Sequence, residues 1–534
     1  MTTKKINNPI LPGFNPDPSI VRVGEDFYIA TSTFEWYPGV QIHHSRDLKN
    51  WRLVSRPLNR AALLDMTGEP DSCGVWAPCL TWADGVFWLV YTDVKRFDGN
   101  FKDTHNYLTT CESIDGEWSD PIYLNSSGFD PSLFHDDDGR KWLTNMVWDH
   151  RPDRTFFGGI MLQEYDTSSG KLVGSPQNIF KGSELGFTEG PHIYKRDGYY
   201  YLLTAEGGTG YNHAMTLARS RSLSGPYELD PNGHFITAKD NPDLPLQRCG
   251  HGSVVDTPDG NEHYAVHLCS RPLSSIDRFS PLGRESSIQR VRWDEQGWLR
   301  LDNGAGLPED SVQAPDLPEQ PWSIPATDFD FEQSELPSAF QWLRTPRHER
   351  LFSLTERSGY LRLFGRESLG SYYESSFVAL RQDSLECEAS TSVEFEPESF
   401  QQMAGLVCYY NSQKFHYLYI SHDEEKGKQL AIMSCHAEQG LEASFPVEPI
   451  ALKPGCQVHL KAVVRRAELT FSYRYDDSEW IELPVTLDYR YLSCEAGKGE
   501  GASFTGTFIG MACQDLNGTA RAADFGHFSY RRES

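Results

Sequence analysis

The chain has 534 residues, of which 39% are apolar and 13% are aromatic, and its formal net charge is −26. This acidic balance argues against a nucleic acid partner, because binding to phosphates requires a surface rich in lysine and arginine. No apolar run is long enough to span a bilayer, so no membrane partner is expected.

Residues 1–12 contain Lys4 and Lys5 but lack the apolar stretch of a secretory signal. The 11 cysteines form no Cys-x-x-Cys pair, and most of them lie in apolar, strand-like segments. We therefore expect reduced, buried thiols in a cytoplasmic protein.

Five similar units follow one another up to residue 301. In each unit an apolar run leads into a tight turn and a second apolar run, which is the pattern of a β-hairpin. The anchor positions of the units lie 60, 53, 60 and 61 residues apart, at Pro18, Pro78, Pro131, Pro191 and Gly252. Five units of about four strands predict a five-bladed β-propeller over residues 1–305. An open β-sandwich with coincidental hairpins is the alternative.

Three of the units begin with an acidic side chain at the start of a strand, namely Asp17, Asp130 and Glu189. We interpret them as equivalent positions of blades one, three and four, which would bring them to one funnel. The corresponding neighbourhoods of blades two and five hold Trp76 and His251.

Each of these residues also has a purely structural interpretation. Aspartate before proline is common in turns, and an imidazole between two glycines can cap a backbone carbonyl. Trp76 and Trp148 would serve equally well as core between blades. The run Asp136–Gly139 has the composition of a calcium loop, but it fits the hairpin turn of blade three better, so no metal ligand is predicted.

Residues 306–325 are rich in proline and are interpreted as a linker or a strap between two domains. From residue 326 to residue 534, alternating runs such as Tyr360–Phe364, His416–Ile420 and Leu469–Tyr473 recur. They predict an antiparallel β-sandwich with one face of each sheet in water. The predicted fold class is all-β, a five-bladed β-propeller followed by a C-terminal antiparallel β-sandwich, without a long helix.

Carboxyl groups that converge in an aromatic-lined pocket suit glycoside hydrolysis. One must be protonated to give a proton to the leaving oxygen, and another must be ionised to take a proton from water or to attack directly. A third carboxylate nearby raises the pKa of the acid by like-charge repulsion. Aromatic faces pack against the C–H surface of a sugar.

Four segments of the chain together resemble glycoside hydrolase family 43, and most closely its two-domain β-xylosidases. They are Asn15–Ser19, Trp76–Pro78, Phe129–Ser132 and Thr188–His192. Phe504–Gly510 resembles the C-terminal sandwich of the same subgroup, so the resemblance covers nearly the whole chain. It implies a five-bladed propeller and an inverting mechanism.

By this resemblance, Asp17 is the general base that activates water, Glu189 is the general acid, and Asp130 tunes and orients Glu189. Arg284, in Leu282–Glu285, would contact the sugar on the non-reducing side of the scissile bond, and His251 would help to hold Asp17 and the sugar. The pocket walls implied by the resemblance are Phe34, Trp76, Trp148 and, reaching over from the sandwich, Phe504.

A groove that is stopped by a loop from another domain admits only a chain end. We therefore expect an exo-acting β-1,4-xylosidase that releases xylose from the non-reducing end of neutral xylo-oligosaccharides, with additional α-L-arabinofuranosidase activity. The alternatives are an enzyme that is mainly an α-L-arabinofuranosidase, an endo-arabinanase, and a carbohydrate-binding protein without turnover. The resemblance favours a homo-oligomer that requires no cofactor, while a divalent cation in the funnel stays open.

Overall fold

The computed structural model describes residues 4–437, 441–476, 478–497 and 503–533. These residues form β-strands and short 3-10 helices such as His348–Arg350 and Tyr489–Tyr491. Within the described ranges, no helix has the length and apolar character needed to cross a membrane.

The described part of the N-terminal half forms five antiparallel sheets of four strands each; in four sheets the strands follow one another directly in sequence, and in blade 1 the short strand Trp36–Tyr37 intervenes. This is a five-bladed propeller, so the predicted fold class is confirmed for this half. Blade 1 contains Ser19–Val23, Asp26–Thr31, Gln41–Ser45 and Arg52–Ser55; blade 2 contains Gly74–Ala83, Val86–Arg96, Asp103–Cys111 and Ile122–Asn125; blade 3 contains Ser132–His135, Lys141–Trp148, Phe157–Asp166 and Lys171–Phe180; blade 4 contains Glu189–Arg196, Tyr199–Glu206, Ala214–Ser220 and Glu228–Thr237; blade 5 contains Gln247–Asp256, His263–Ser270, Glu285–Trp293 and Leu299–Leu301.

The first hairpin of a blade is closed by the turn residues that the sequence indicated. In blade 2, Asp84 and Gly85 both have positive φ angles, of 57° and 77°. A two-residue turn with two positive φ angles matches the right-handed twist of the flanking strands, which is why Asp-Gly between apolar runs is a reliable hairpin signal.

The proline-rich segment 306–325 does not hang free between the domains. Its strand Ser311–Gln313 pairs antiparallel with the N-terminal strand Lys5–Asn7. Val312 and Ile6 are buried there, in a cluster that includes Ile29 of blade 1 and Val266 of blade 5. This part of the segment therefore joins the first and last blades of the propeller.

The C-terminal half is a sandwich of two nine-stranded sheets, which confirms the second part of the predicted fold. One sheet contains Asp328–Phe329, Phe352–Ser353, Leu361–Phe364, Glu386–Glu394, Val458–Arg465, Glu468–Tyr475, Ile481–Glu482, Leu487–Asp488 and Ala522–Arg532; the other contains Trp36–Tyr37, Gln341–Leu343, Ser376–Arg381, Gln402–Asn411, Lys414–Asp423, Gly427–His436, Leu441–Ser444, Ile450–Ala451 and Phe508–Asp515.

One strand of the second sheet comes from the propeller half. Trp36–Tyr37 leaves blade 1 and pairs with Gln341–Leu343 at the edge of the sandwich. The indole of Trp36 is fully buried and stacks on Phe508, with ring centroids 3.6 Å apart. Because a strand and a buried indole cross the boundary, the sandwich is held in a defined orientation over the face of the propeller that contains Phe34 and Glu35.

Candidate active site

The three acids of the sequence analysis meet in one cavity between the propeller and the sandwich. Its volume is about 250 Å³, slightly below the roughly 300–1,000 Å³ that is typical of small-molecule sites. All nine predicted site residues line this cavity: Asp17, Phe34, Trp76, Asp130, Trp148, Glu189, His251, Arg284 and Phe504.

The acids do not, however, occupy equivalent positions in their blades, and that part of the prediction is wrong by one residue for Glu189. Asp17 and Asp130 both have a φ angle of 56°, and each directly precedes the anchoring proline of its blade. In blade 4 the residue in that position is Gly190, with a φ angle of 57°. Glu189 precedes it and begins the strand, pairing with Ala205 before the register shifts. Its carboxyl group therefore approaches the cavity from a different backbone position than the two aspartates.

The same offset applies to Trp76 in blade 2, whereas His251 in blade 5 occupies the position of the two aspartates. In blade 2 the residue directly before the anchoring proline, which has a positive φ angle as in the other blades, is Ala77. Trp76 therefore corresponds to Glu189 rather than to Asp17. In blade 5 the corresponding residue is His251, with a φ angle of 33°. Left-handed backbone is costly for residues other than glycine, and its recurrence around one cavity is typical of a functional site.

Asp17 is buried and is surrounded by groups that favour its ionised form. Its carboxylate accepts hydrogen bonds from the hydroxyl of Ser32 at 2.7 Å and from Nη1 of Arg284 at 3.1 Å. Burial alone would raise the pKa of Asp17, but opposing interactions, chiefly the charge of Arg284, outweigh it, so the pKa lies below its usual value. At neutral pH Asp17 can therefore accept a proton.

Glu189 has the opposite environment. Burial, and then the nearby charge of Asp17, raise the pKa of Glu189 to about 8, although Arg284 and Lys102 act against the shift. Asp130 accepts a hydrogen bond from the backbone N–H of Gly190 at 3.1 Å, next to the acid in sequence. Burial, followed by the charges of Glu189 and Asp17, also holds the pKa of Asp130 well above its usual value. These two carboxyl groups therefore retain protons at a pH at which Asp17 is ionised.

His251 lies between the two aspartates, with Nδ1 3.7 Å from Asp17 and 3.9 Å from Asp130. Burial is the main reason why the pKa of His251 is lowered, so its imidazole is neutral at neutral pH. A Cβ atom on Gly190 would lie 3.0 Å from this ring, which means that the imidazole fits only because residue 190 has no side chain.

Arg284 and Phe504 join the propeller to the sandwich at the cavity. Besides its bond to Asp17, the guanidinium of Arg284 donates from Nε and Nη2 to the backbone carbonyl of Phe504, both at 3.2 Å. The ring of Phe504 packs against Trp76 at 5.6 Å and Phe34 at 6.2 Å between centroids. A Cβ atom on Gly283 would lie 2.2 Å from the carbonyl oxygen of Thr505, so the two segments approach each other as closely as their backbones allow.

Ser72 makes a second connection between the domains at the same point. Its hydroxyl accepts a hydrogen bond from the backbone N–H of Phe504 at 3.1 Å, and its carbonyl accepts one from the indole N–H of Trp76 at 2.9 Å. The preceding Asp71 is bound by Arg344 of the sandwich at 2.7 Å. The sandwich thus holds both Phe504 and the segment that positions Trp76.

Seven further lining residues were not predicted from the sequence: Phe97, Lys102, Phe129, Phe157, Phe187, Gly208 and Thr209. The ammonium group of Lys102 lies 4.3 Å from the centre of the Trp148 ring, and the indole N–H of Trp148 donates to the carbonyl of Asn100 at 2.9 Å. Phe129 directly precedes Asp130 in the segment Phe129–Ser132, so the sequence contained a signal for it. The loop that contains Phe97 and Lys102 connects the second and third strands of blade 2, and its sequence does not recur in the other units, so no repeated pattern indicated these two residues.

The described residues include no group of three or more His, Cys, Asp or Glu side chains arranged to hold a metal ion. In the run that resembles a calcium loop, Asp136 binds Lys195 at 2.6 Å and Tyr200 at 3.0 Å, while Asp138 pairs with Arg140. The run forms the turn between the first two strands of blade 3, and Asp136 also connects this turn to blade 4. All 11 cysteines are free, and nine of them are buried, in agreement with the expected reduced thiols.

Comparisons with known proteins agree with this geometry. The family described as glycosyl hydrolases family 43 matches residues 6–299, and the beta xylosidase C-terminal Concanavalin A-like domain matches residues 328–531. The chain is 54% identical to the xylosidase/arabinosidase 43B of Humicola insolens, over 99% of this chain and 98% of that protein. It is 49% identical to a beta-xylosidase of Bacillus subtilis, over 99% and 100% of the two chains.

A solved structure shows the same similarity in three dimensions. The crystal structure of a xylan beta-1,4-xylosidase from Bacillus halodurans C-125 superposes with a TM-score of 0.96 at 53% identity, and the match covers 99% of this chain and 100% of that one. The match therefore extends over both halves of the chain. The chain belongs to glycosyl hydrolase family 43 and is a glycoside hydrolase.

Proposed function

We propose that the protein is an inverting, exo-acting β-1,4-xylosidase that releases xylose from the non-reducing end of neutral xylo-oligosaccharides. The observation that supports this most strongly is the pair of opposite pKa shifts in one cavity, lowered for Asp17 and raised for Glu189. Two titratable groups that are driven apart in this way match the needs of a general base and a general acid. The relatives named above are a xylosidase/arabinosidase, a beta-xylosidase and a xylan beta-1,4-xylosidase, which supports xylo-oligosaccharides as the substrate.

In the proposed reaction, Glu189 transfers its proton to the glycosidic oxygen as the bond from that oxygen to the anomeric carbon breaks. Asp17 takes a proton from a water molecule, and the oxygen of this water bonds to the anomeric carbon from the opposite face. The products are xylose and an oligosaccharide shorter by one unit. Asp17 then holds a proton and Glu189 has lost one, and exchange with solvent restores both.

The other site residues prepare this step. Arg284 keeps Asp17 ionised and provides donors for sugar hydroxyl groups, and the neutral imidazole of His251, whose Nδ1 lies 3.7 Å from Asp17, contacts the sugar beside the base. Asp130 binds the N–H that follows Glu189, and through it orients the acid. The aromatic walls exclude water, which strengthens the electrostatic interactions among these groups.

Exo action follows from the closed end of the cavity. Phe504 packs onto Phe34 and Trp76, and its backbone is bound by Arg284 and Ser72. A polymer cannot pass through a groove that is blocked in this way, whereas a chain end can enter it. Neutral sugars also suit a protein with a net charge of −26.

α-L-Arabinofuranosidase activity is the second candidate, because the relative from Humicola insolens is named a xylosidase/arabinosidase. Rates on an aryl β-xyloside and an aryl α-L-arabinofuranoside, measured side by side, decide between the two. A higher kcat/KM on the arabinofuranoside would make the arabinofuranosidase the principal activity.

The acid and base roles are tested by two isosteric substitutions. Asp17→Asn should abolish hydrolysis of every substrate, because no other ionised carboxylate replaces the base. Glu189→Gln should slow xylobiose hydrolysis far more than hydrolysis of an aryl xyloside with a good leaving group, which needs little proton assistance. Equal losses on the two substrates would remove Glu189 from the acid role.

The remaining sequence-based expectations stay predictions. They are a homo-oligomeric state, a cytoplasmic location and a reaction without a required cofactor or divalent cation. Light scattering of the purified protein measures the first, and rates before and after treatment with a chelator measure the last.

A further inference from the structure

A buried carboxyl group that takes no part in the proposed chemistry lies beside the segment that leads into Glu189. Glu206 is the last residue of the second strand of blade 4, and its side chain is fully buried. It adjoins Ala205, the residue that pairs with Glu189 across the two strands. Glu206 is thus one residue removed from the backbone partner of the proposed acid.

Both oxygens of Glu206 are occupied by hydrogen bonds from neutral donors. Oε1 accepts from the backbone N–H of Ser183 at 2.8 Å and from the hydroxyl of Thr188 at 3.0 Å. Oε2 accepts from the hydroxyls of Ser183 and, at 3.1 Å, Thr216. The four contacts use acceptor positions on both oxygens of the carboxyl group.

Three of these four donor groups belong to two residues of the loop 182–188, Ser183 and Thr188, and Thr188 directly precedes Glu189. A Cβ atom on Gly182 would lie 1.8 Å from the hydroxyl of Thr188 and 2.8 Å from Oε1 of Glu206. The beginning of the loop therefore has room for the contact between Glu206 and Thr188 only because residue 182 is glycine. The loop also contains Phe187, which lines the cavity.

We propose that Glu206 is a positioning residue for the general acid: through Thr188 and Ser183 it fixes the backbone from which Glu189 reaches the glycosidic oxygen. This inference rests on the acid role of Glu189 in the proposed function. The physical reason is that proton transfer requires the acid within hydrogen-bond reach of the leaving oxygen, and a displacement of about 1 Å can cost roughly 100-fold in rate.

The chain offers a matched pair of variants, because two threonines donate to the same carboxylate. Thr188→Val removes the bond next to Glu189, and Thr216→Val removes a bond from the third strand of blade 4. Both residues are buried, and each substitution removes one donor to Glu206; the Thr216 hydroxyl also lies 3.3 Å from Nδ1 of His234. We expect Thr188→Val to lower kcat/KM on xylobiose by about 10- to 100-fold and to lower it by less than about 3-fold on an aryl xyloside with a good leaving group. Thr216→Val should lower both rates by the same factor.

Thr188→Ser, which keeps the hydroxyl, should restore the ratio of the two rates to that of the unchanged protein. Glu206→Gln gives a second route to the same test, since an amide cannot accept all four bonds. Equal losses on both substrates for Thr188→Val and Glu206→Gln would overturn the inference, provided that Glu189→Gln shows the unequal losses of a missing acid. If Glu189→Gln itself slows both substrates equally, the proposed acid role fails first and the inference about Glu206 fails with it.

Discussion

Asp17 and Arg284 form a buried ion pair, with Nη1 of the arginine 3.1 Å from Oδ1 of the aspartate and side chains that are 4% and 6% exposed. The same guanidinium binds the backbone carbonyl of Phe504. A single side chain therefore sets the charge of the proposed base and holds the sandwich against the propeller.

Replacement of Arg284 by methionine should shift both limbs of the pH–rate profile upward. Arg284 lowers the pKa of Asp17 and also opposes the raised pKa of Glu189. Without Arg284 the pKa of Asp17 rises, so as the pH is lowered the base becomes protonated, and activity is lost, at a higher pH than in the unchanged protein. The pKa of Glu189 also rises, so the acid keeps its proton to a higher pH and the alkaline limb moves up as well. The profile of kcat/KM measures both limbs, and Arg292→Met, at an exposed arginine of blade 5, is the control. An acid limb that stays in place would contradict the role of the ion pair.

The pH dependence of the unchanged protein follows from the same two residues. Asp17, whose pKa lies below its usual value, is ionised through the neutral range, and Glu189, with a pKa of about 8, is protonated there. We expect kcat/KM to be level through neutral pH and to fall as the pH rises through about 8, because the acid is then deprotonated. In Glu189→Gln, assayed on an aryl xyloside with a good leaving group, this alkaline limb should disappear. A limb that persists in the variant belongs to another group.

Phe504→Ala should weaken the preference for short chains. The substitution removes the ring that packs on Phe34 and Trp76, and it opens the blocked end of the cavity. We expect kcat/KM on xylobiose to fall while activity on longer xylo-oligosaccharides falls less, so that the ratio of the two moves toward longer chains. Phe400→Ala is the matched control, because Phe400 is an exposed phenylalanine of the sandwich half that does not line the cavity. Unchanged ratios in Phe504→Ala would show that the sandwich does not set chain length.

Arg344→Met tests how strongly the domains are held together. Arg344 is 1% exposed and donates to Asp71 at 2.7 Å and to the backbone carbonyl of Glu69. Its removal leaves the Asp71 carboxylate without its charged partner, a change that typically costs about 3–5 kcal/mol of unfolding free energy. Urea denaturation measures the loss, and the exposed Arg347→Met should leave the midpoint unchanged. A urea midpoint that is equal in both variants would mean that the pair of Arg344 and Asp71 contributes little to the stability of the contact between the domains.

Much of the fold could be predicted because its signals are local. Asp-Gly turns between apolar runs specify hairpins from a few residues, and the recurring anchors then give the number of blades. The offset of Glu189 was also visible in the sequence: the residue before the anchoring proline is Asp17, Asp130 and, in blade 4, Gly190. The similarity of the surrounding segments concealed a difference of one position.

The features that were missed depend on contacts between residues far apart in the chain. Nothing near Trp36 indicates that it forms an edge strand with residues some three hundred positions later. Ser72 and Glu206 are ordinary polar residues in sequence, and they become significant only because folding places Phe504 and Thr188 against them. Lys102 lies in a loop without a repeated pattern, so its place beside Trp148 could not be inferred either.

The stereochemistry of the first product is the most direct test of whether Asp17 activates a water molecule on the face opposite to Glu189. Proton NMR of the first-formed sugar, recorded during hydrolysis of a β-xyloside before the anomers equilibrate, identifies its configuration. We expect α-xylose as the first product, because attack from the opposite face inverts the configuration of a β-xyloside. β-Xylose would mean that configuration is retained, and it would contradict the assignment of Asp17 as a base acting through water.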